Sequence, residues 1–131
     1  MLDRGTRDRL LAVDDSADSA DLVARVAAKC GYDAQATSDP TSVRALVASW
    51  KPAVLTLDLC MPEADGIDLL SVLEETSFAG LLVIISGQDG WFRKAASRLA
   101  ETRGLKVVDD LQKPVDIAAL RQLLSRLRQS E

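Results

Sequence analysis

Five short, mostly apolar runs punctuate the chain at Arg9–Val13, Asp33–Thr37, Ala53–Leu57, Leu81–Ile85 and Lys106–Leu111. Within them "LLAV", "AVLTL" and "LLVII" are almost continuously apolar rather than alternating, the pattern of strands covered on both faces. Between the runs the apolar residues recur at helical spacing. The first such stretch carries Leu22, Val23, Val26, Ala27 and Cys30 on one side, and Gly31 stands where a helix-ending glycine belongs. The second, Pro40 to Ser49, opens on a proline just after Asp39, as a first helical turn permits. The third shows Ile67, Leu70 and Leu73, and the fifth Ile117, Leu120, Leu123, Leu124 and Leu127. The fourth, from Trp91 to Thr102, has the weakest amphipathic pattern. Strict strand–helix alternation predicts an α/β fold: a parallel sheet with helices on both faces and right-handed crossovers. Residues 1–8 read as a short arm, and 9–131 as one domain with no second unit behind it.

Composition then removes several functions. At 131 residues the chain suits one core, and its charged fraction of 27% is that of an ordinary globular protein. Leu81 to Ile85, the longest strongly apolar run, falls far short of the ~18 residues of a membrane span. "MLDRGTRDRL" has no signal-peptide core, so cytoplasmic residence away from the membrane is expected. Two cysteines, Cys30 and Cys60, make no disulfide framework and fit a reducing compartment. A net charge of −4 argues against direct nucleic-acid binding, and Arg121, Arg126 and Arg128 read as a solvated face. The chain contains no histidine, which excludes Ser-His-Asp and Cys-His catalysis, His-ligated zinc and a phosphohistidine of its own.

The candidate chemistry lies just past the strands, because open α/β sheets gather ligands at their carboxyl ends. Asp14, Asp15 and Ser16 follow the first run, Asp58 the third, Ser86 and Gly87 the fourth, and Lys113 and Pro114 the fifth. Each alone has an ordinary structural explanation. Asp14-Asp15-Ser16 can cap a helix, Asp58 can cap or turn, Ser86-Gly87 can be a turn, and Lys113-Pro114 a helix start beside a solvated lysine. Trp50 and Trp91 read as packing residues. Together the strand ends say more. Three carboxylates converging on one point repel unless a cation joins them, and a hard, oxygen-seeking, hydrated ion such as Mg²⁺ fits. With the ion present, a carboxylate can attack phosphorus to form an acyl phosphate. The metal, the Lys113 ammonium and the Ser86 hydroxyl would then meet the phosphoryl oxygens. No general base is required, since an ordinary carboxylate is ionised at neutral pH.

"LLAVDDS", "LTLDLCMPEADGIDLL", "VIISG" and "LQKPV", in that order, resemble the receiver domain of bacterial two-component response regulators (CheY-like). The resemblance runs over essentially the whole chain, and its most specific part is the D-x-x-M-P-x-x-D-G run from Asp58 to Gly66. It implies a flavodoxin-like, doubly wound, five-stranded parallel sheet in the order 2-1-3-4-5. It also implies a phosphorylation-dependent switch. Asp58 would accept the phosphoryl group, and Asp15, Asp58 and the Cys60 backbone carbonyl would ligate Mg²⁺, with Asp14 acting through water. Ser86 would hydrogen-bond the phosphoryl oxygens. Lys113 would pair with Asp58 or the phosphoryl group and precede a cis Pro114. Pro62 and Gly66 would shape the loop that carries Asp58 into the third helix. The implied partners are a sensor histidine kinase or His-phosphotransfer protein and a downstream effector or output domain, with a homodimer through the leucine-rich last helix as another possibility.

The chain departs from the family pattern in two places. An aromatic residue usually stands three positions before the lysine, where this chain has Asp110, an acid that cannot fill an apolar pocket at low cost. Trp91 or Phe92 is the expected substitute. The stretch from Ser86 to Lys113 is also long, which predicts an extended fourth helix or flanking loop. "ISG" with "RGLKVVDDLQKPV" is similar to receivers that precede EAL-type cyclic-dinucleotide phosphodiesterase domains. Two other readings compete. A phosphohydrolase of the haloacid dehalogenase type needs an acid two residues after the nucleophile, where this chain has Cys60. Slow loss of the phosphoryl group to water is still expected, with residues 60 and 88 helping to set its rate. A purely structural domain would have no use for the complete acidic set.

Overall fold

In the computed structural model, which describes residues 8–59, 66–87 and 90–129, each apolar run forms a strand and each amphipathic stretch a helix. The strands are β1 (Arg9–Val13), β2 (Asp33–Thr37), β3 (Val54–Asp58), β4 (Leu81–Ser86) and β5 (Lys106–Gln112). The helices are α1 (Ala17–Lys29), α2 (Val43–Trp50), α3 (Gly66–Glu75), α4 (Gly90–Thr102) and α5 (Ile117–Gln129). All pairings are parallel and the order is β2-β1-β3-β4-β5, as expected.

Period-two alternation divides the core into two layers. Leu11, Val13, Leu55, Leu57, Leu82 and Ile84 face α2, α3 and α4, where Val47, Leu70, Leu73 and Ala100 meet them. Leu10, Ala12, Val54, Val83 and Ile85 face α1 and α5, where Val23, Ala27, Leu120 and Leu124 meet them. The central strand β3 is buried along its whole length, so it reads as an unbroken apolar run; β2, at the sheet edge, is half-exposed and does not.

Local chemistry sets the boundaries. Ser16 caps α1, its hydroxyl accepting from the Ser19 amide. Gly31 ends that helix at φ +97°, while the Gly31 and Tyr32 amides donate to the carbonyls of Ala28 and Ala27, a reciprocal closure that glycine makes at low cost. The second helix differs from expectation. Pro40–Ser42 is a 3₁₀ turn and the α-helix starts at Val43, because the Asp39 carboxylate accepts from both the amide and hydroxyl of Thr41 and tightens the turn. Those bonds also lower the Asp39 pKa, the Thr41 hydroxyl having the larger effect. β3 extends one residue further than expected, taking in Asp58, and β5 extends to Gln112. The β4–β5 register shifts between Leu82 and Val83. Of the expected arm, only Asp8 lies within the described residues, and it is held by Arg128 and by the Asp33 amide. Among the described residues no helix is long and apolar enough to cross a membrane.

Candidate functional site

Register creates the site. Val13 pairs with Leu57 across β1 and β3, so the residues just beyond, Asp14 and Asp58, leave the sheet side by side. Asp58 is the last residue of β3 and only 2% exposed. Asp14 is also buried, its amide donating to the Thr37 carbonyl, whereas Asp15 is open to solvent. One carboxylate oxygen from each of Asp14, Asp15 and Asp58 can be chosen so that all three lie within 4.8 Å of one another. On the other side, Ser86 ends β4 fully buried, and its carbonyl accepts from the Lys113 amide, which ties the end of β5 to it. The Lys113–Pro114 peptide is cis, as the resemblance implies.

Lys113 reaches back over both buried acids. Its Nζ is 2.8 Å from an oxygen of Asp14 and 3.2 Å from one of Asp58. Partial burial of the ammonium works to lower its pKa, but the hydrogen bond and charge of Asp14, reinforced by Asp58, outweigh this and the net shift is upward. The pairing with Asp58 was expected. The shorter pairing with Asp14 was not, and its signal lay in the strand register rather than in any local motif. Asp14 also accepts from the Ser16 amide, so the helix-capping explanation holds in part: Ser16 caps while Asp14 and Asp15 turn to the site.

The donor set suits a hard cation. Three carboxylates and few alternatives to oxygen match Mg²⁺ better than a soft or tetrahedral ion, and one protein ammonium leaves the cluster with net negative charge. Cys60, Met61, Pro62, Asp65 and Gln88 lie outside the described residues, so the expected Cys60 carbonyl ligand does too. A hollow of about 180 Å³ adjoins the acids, lined by Asp14, Val23, Lys113, Pro114 and Leu120 and rimmed by half-exposed Leu22 and Ile117. A wider crevice of about 800 Å³ opens among Lys51, Phe78, Gly80 and Arg128, at the opposite end of the sheet from the acids. Phe92 packs into the core and Trp91 stands 78% exposed, while Asp110 meets Arg93 at 3.3 Å.

A family model described as the response regulator receiver domain matches residues 10–125. Response regulator MprA of Mycobacterium leprae is 29% identical over 120 residues, covering 92% of this chain and 49% of that protein. The DNA-binding response regulator MtrA of Mycobacterium leprae is 31% identical over 83 residues, covering 63% of this chain and 37% of its own length, so the chain spans half or less of either relative. A response regulator structure from Colwellia psychrerythraea superposes with a TM-score of 0.83 at 27% identity, covering 95% of this chain and 98% of that one. The shared order of strands, the acids at their tips and the family match agree: the chain belongs to the response regulator receiver domains, the phosphorylation-dependent signalling domains of two-component systems.

Proposed function

We propose that Asp58 is the phosphoacceptor of this receiver domain, working with Mg²⁺ held by Asp15 and Asp58 directly, by the Cys60 carbonyl, and by Asp14 through water. The observation that carries this reading is the position of Asp58: a buried carboxylate at a strand tip, with two further acids and an ammonium converging on it. An Asp58 oxygen attacks the phosphorus of a phosphohistidine or of a small acyl phosphate. The new O–P bond forms as the P–N or P–O bond breaks, and the leaving imidazole or carboxylate keeps the electron pair. When bound, Mg²⁺ neutralises charge on the transferring group. Lys113 moves its ammonium from Asp58 toward a phosphoryl oxygen, and the Ser86 hydroxyl donates to another. The added charge, about −1.5 to −2, is the local event from which the surface change starts.

The donor reads as a sensor histidine kinase or His-phosphotransfer protein, since this chain has no histidine. The apolar rim of Leu22 and Ile117 beside the acids gives such a donor a place to rest. The effector is a separate protein or an attached output unit, with an EAL-type unit as the candidate from sequence. The leucines of α5 that invited a homodimer, Leu120, Leu123 and Leu124, are used in the core. Loss of the phosphoryl group to water is slow, with residues 60 and 88 helping to set its rate. Incubation with acetyl phosphate and Mg²⁺, followed by intact-mass measurement, should show one added phosphoryl group. Chelator and Asp58→Asn should each abolish it; an undiminished adduct in Asp58→Asn would refute the assignment.

A further inference from the structure

The register of the edge strand directs an acid at a helix. Asp110 of β5 pairs with Ile84, whose side chain belongs to the layer facing α2, α3 and α4, so Asp110 turns toward α4. A carboxylate on the side of the sheet where partly buried Phe92, Leu99 and Val107 pack is costly without a partner. Arg93, at the end of the first turn of α4, supplies one: its Nε lies 3.3 Å from Asp110, and the two side chains are only 13% and 29% exposed. A pair this sheltered is screened less than a pair on the open surface.

Its place in the chain gives it a second consequence. α4 begins at Gly90, four positions after Ser86. Ser86 in turn pairs with Gln112, two residues beyond Asp110 on the same strand. The path Ser86–Gly90–Arg93–Asp110–Gln112–Ser86 is therefore a closed loop of chain segments joined by the ion pair and by the β4–β5 pairing. The ion pair holds the first turn of α4 against β5, the strand whose Gln112 pairs with Ser86.

We propose that the Arg93–Asp110 ion pair is a latch that holds the first turn of α4 on β5 and so favours the unphosphorylated arrangement of Ser86. The proposal rests on the assignment of Asp58 as phosphoacceptor. Cutting the latch shifts the resting equilibrium toward the arrangement that reacts with a phosphodonor. Where that arrangement starts at about a tenth of the population, a shift of about fourfold raises it, and the reaction rate, by about threefold.

The test measures initial rates of adduct formation by intact mass, at fixed acetyl phosphate and Mg²⁺, with the end-point adduct recorded for every variant. Asp110→Asn and Arg93→Gln should both react about threefold faster than the parent, while Arg93→Lys, which keeps the charge, stays at the parental rate. The same samples carry a reporter, because Trp91 lies two residues before Arg93 and is 78% exposed. With Trp50→Phe in the background it is the only tryptophan, and its emission should change on phosphorylation. Unchanged or slower rates in Asp110→Asn and Arg93→Gln with full end-point adducts would overturn the latch. So would an Arg93→Lys rate equal to that of Arg93→Gln, or a fully modified parent with unaltered Trp91 emission. A parent that forms no adduct would refute the Asp58 assignment itself, and the latch with it.

Discussion

Lys113→Met tests the electrostatics of the site before any phosphoryl group arrives. Methionine keeps most of the stem and removes the ammonium that lies 2.8 Å from Asp14 and 3.2 Å from Asp58. At an effective dielectric of about 20, those two attractions are each of order 5–6 kcal/mol before any offset. Repulsion between the two acids and the dehydration of the lysine consume much of that. Removing one member of a fully buried pair costs about 3–5 kcal/mol. The Lys113 side chain is 29% exposed, so water screens part of the loss and about 2 kcal/mol remains. For a chain of this length that is a fall in Tm of about 6–8 °C. Urea or thermal unfolding at neutral pH in a chelator should show it. Excess Mg²⁺ should then restore more stability to the variant than to the parent, because the two acids have lost their other cation. Unfolding free energies that agree within about 0.5 kcal/mol in chelator would refute the reasoning, since two buried carboxylates would then be stable without compensation.

Other consequences are as direct. Asp15 is exposed and has no part in the lysine pairing, so Asp15→Asn should leave stability in chelator within about 0.5 kcal/mol while weakening Mg²⁺ binding about tenfold or more, as titration followed by Tm would show. The Lys113 pKa is raised on folding, so its stabilising contribution is complete below pH 10.5 and is lost as pH climbs through the higher folded value. Above neutral pH the stability difference between the parent and Lys113→Met should accordingly shrink only in that alkaline range; a difference that vanished between about pH 7 and 9 would assign it to another group. Tyr32→Phe removes a buried hydroxyl that donates to the Leu124 carbonyl at 2.7 Å, joining the end of α1 to α5. It should cost about 1–2 kcal/mol in urea unfolding without changing phosphorylation.

What could be read along the chain was whatever depends on neighbours in sequence. β1, β3 and β4 are apolar at nearly every position because both faces are covered, and Gly31 marks the end of α1 because its φ is positive. Asp58, Ser86 and Lys113 could be placed near one another because all parallel strands end on the same side. Features that depend on register could not be read this way. Asp14 meets Lys113 because β1 lies directly beside β3, and alternation of strands and helices does not dictate that order; the resemblance supplied it. Asp110 lacked a visible partner because Arg93 is 17 residues away on another element, across a β4–β5 pairing whose register shifts. The 3₁₀ turn at Pro40–Ser42 hid behind helix-compatible residues because Asp39 and Thr41 tighten it through side-chain bonds.

The most direct test of the account is to locate the phosphoryl group. The chain would be treated with acetyl phosphate and Mg²⁺, and the acyl phosphate reduced with borohydride, which converts the modified aspartate to homoserine. Peptide fragmentation then reads its position. The account predicts homoserine at position 58 alone; homoserine at position 14 or 15, or none in a sample whose intact mass shows the adduct, would contradict it.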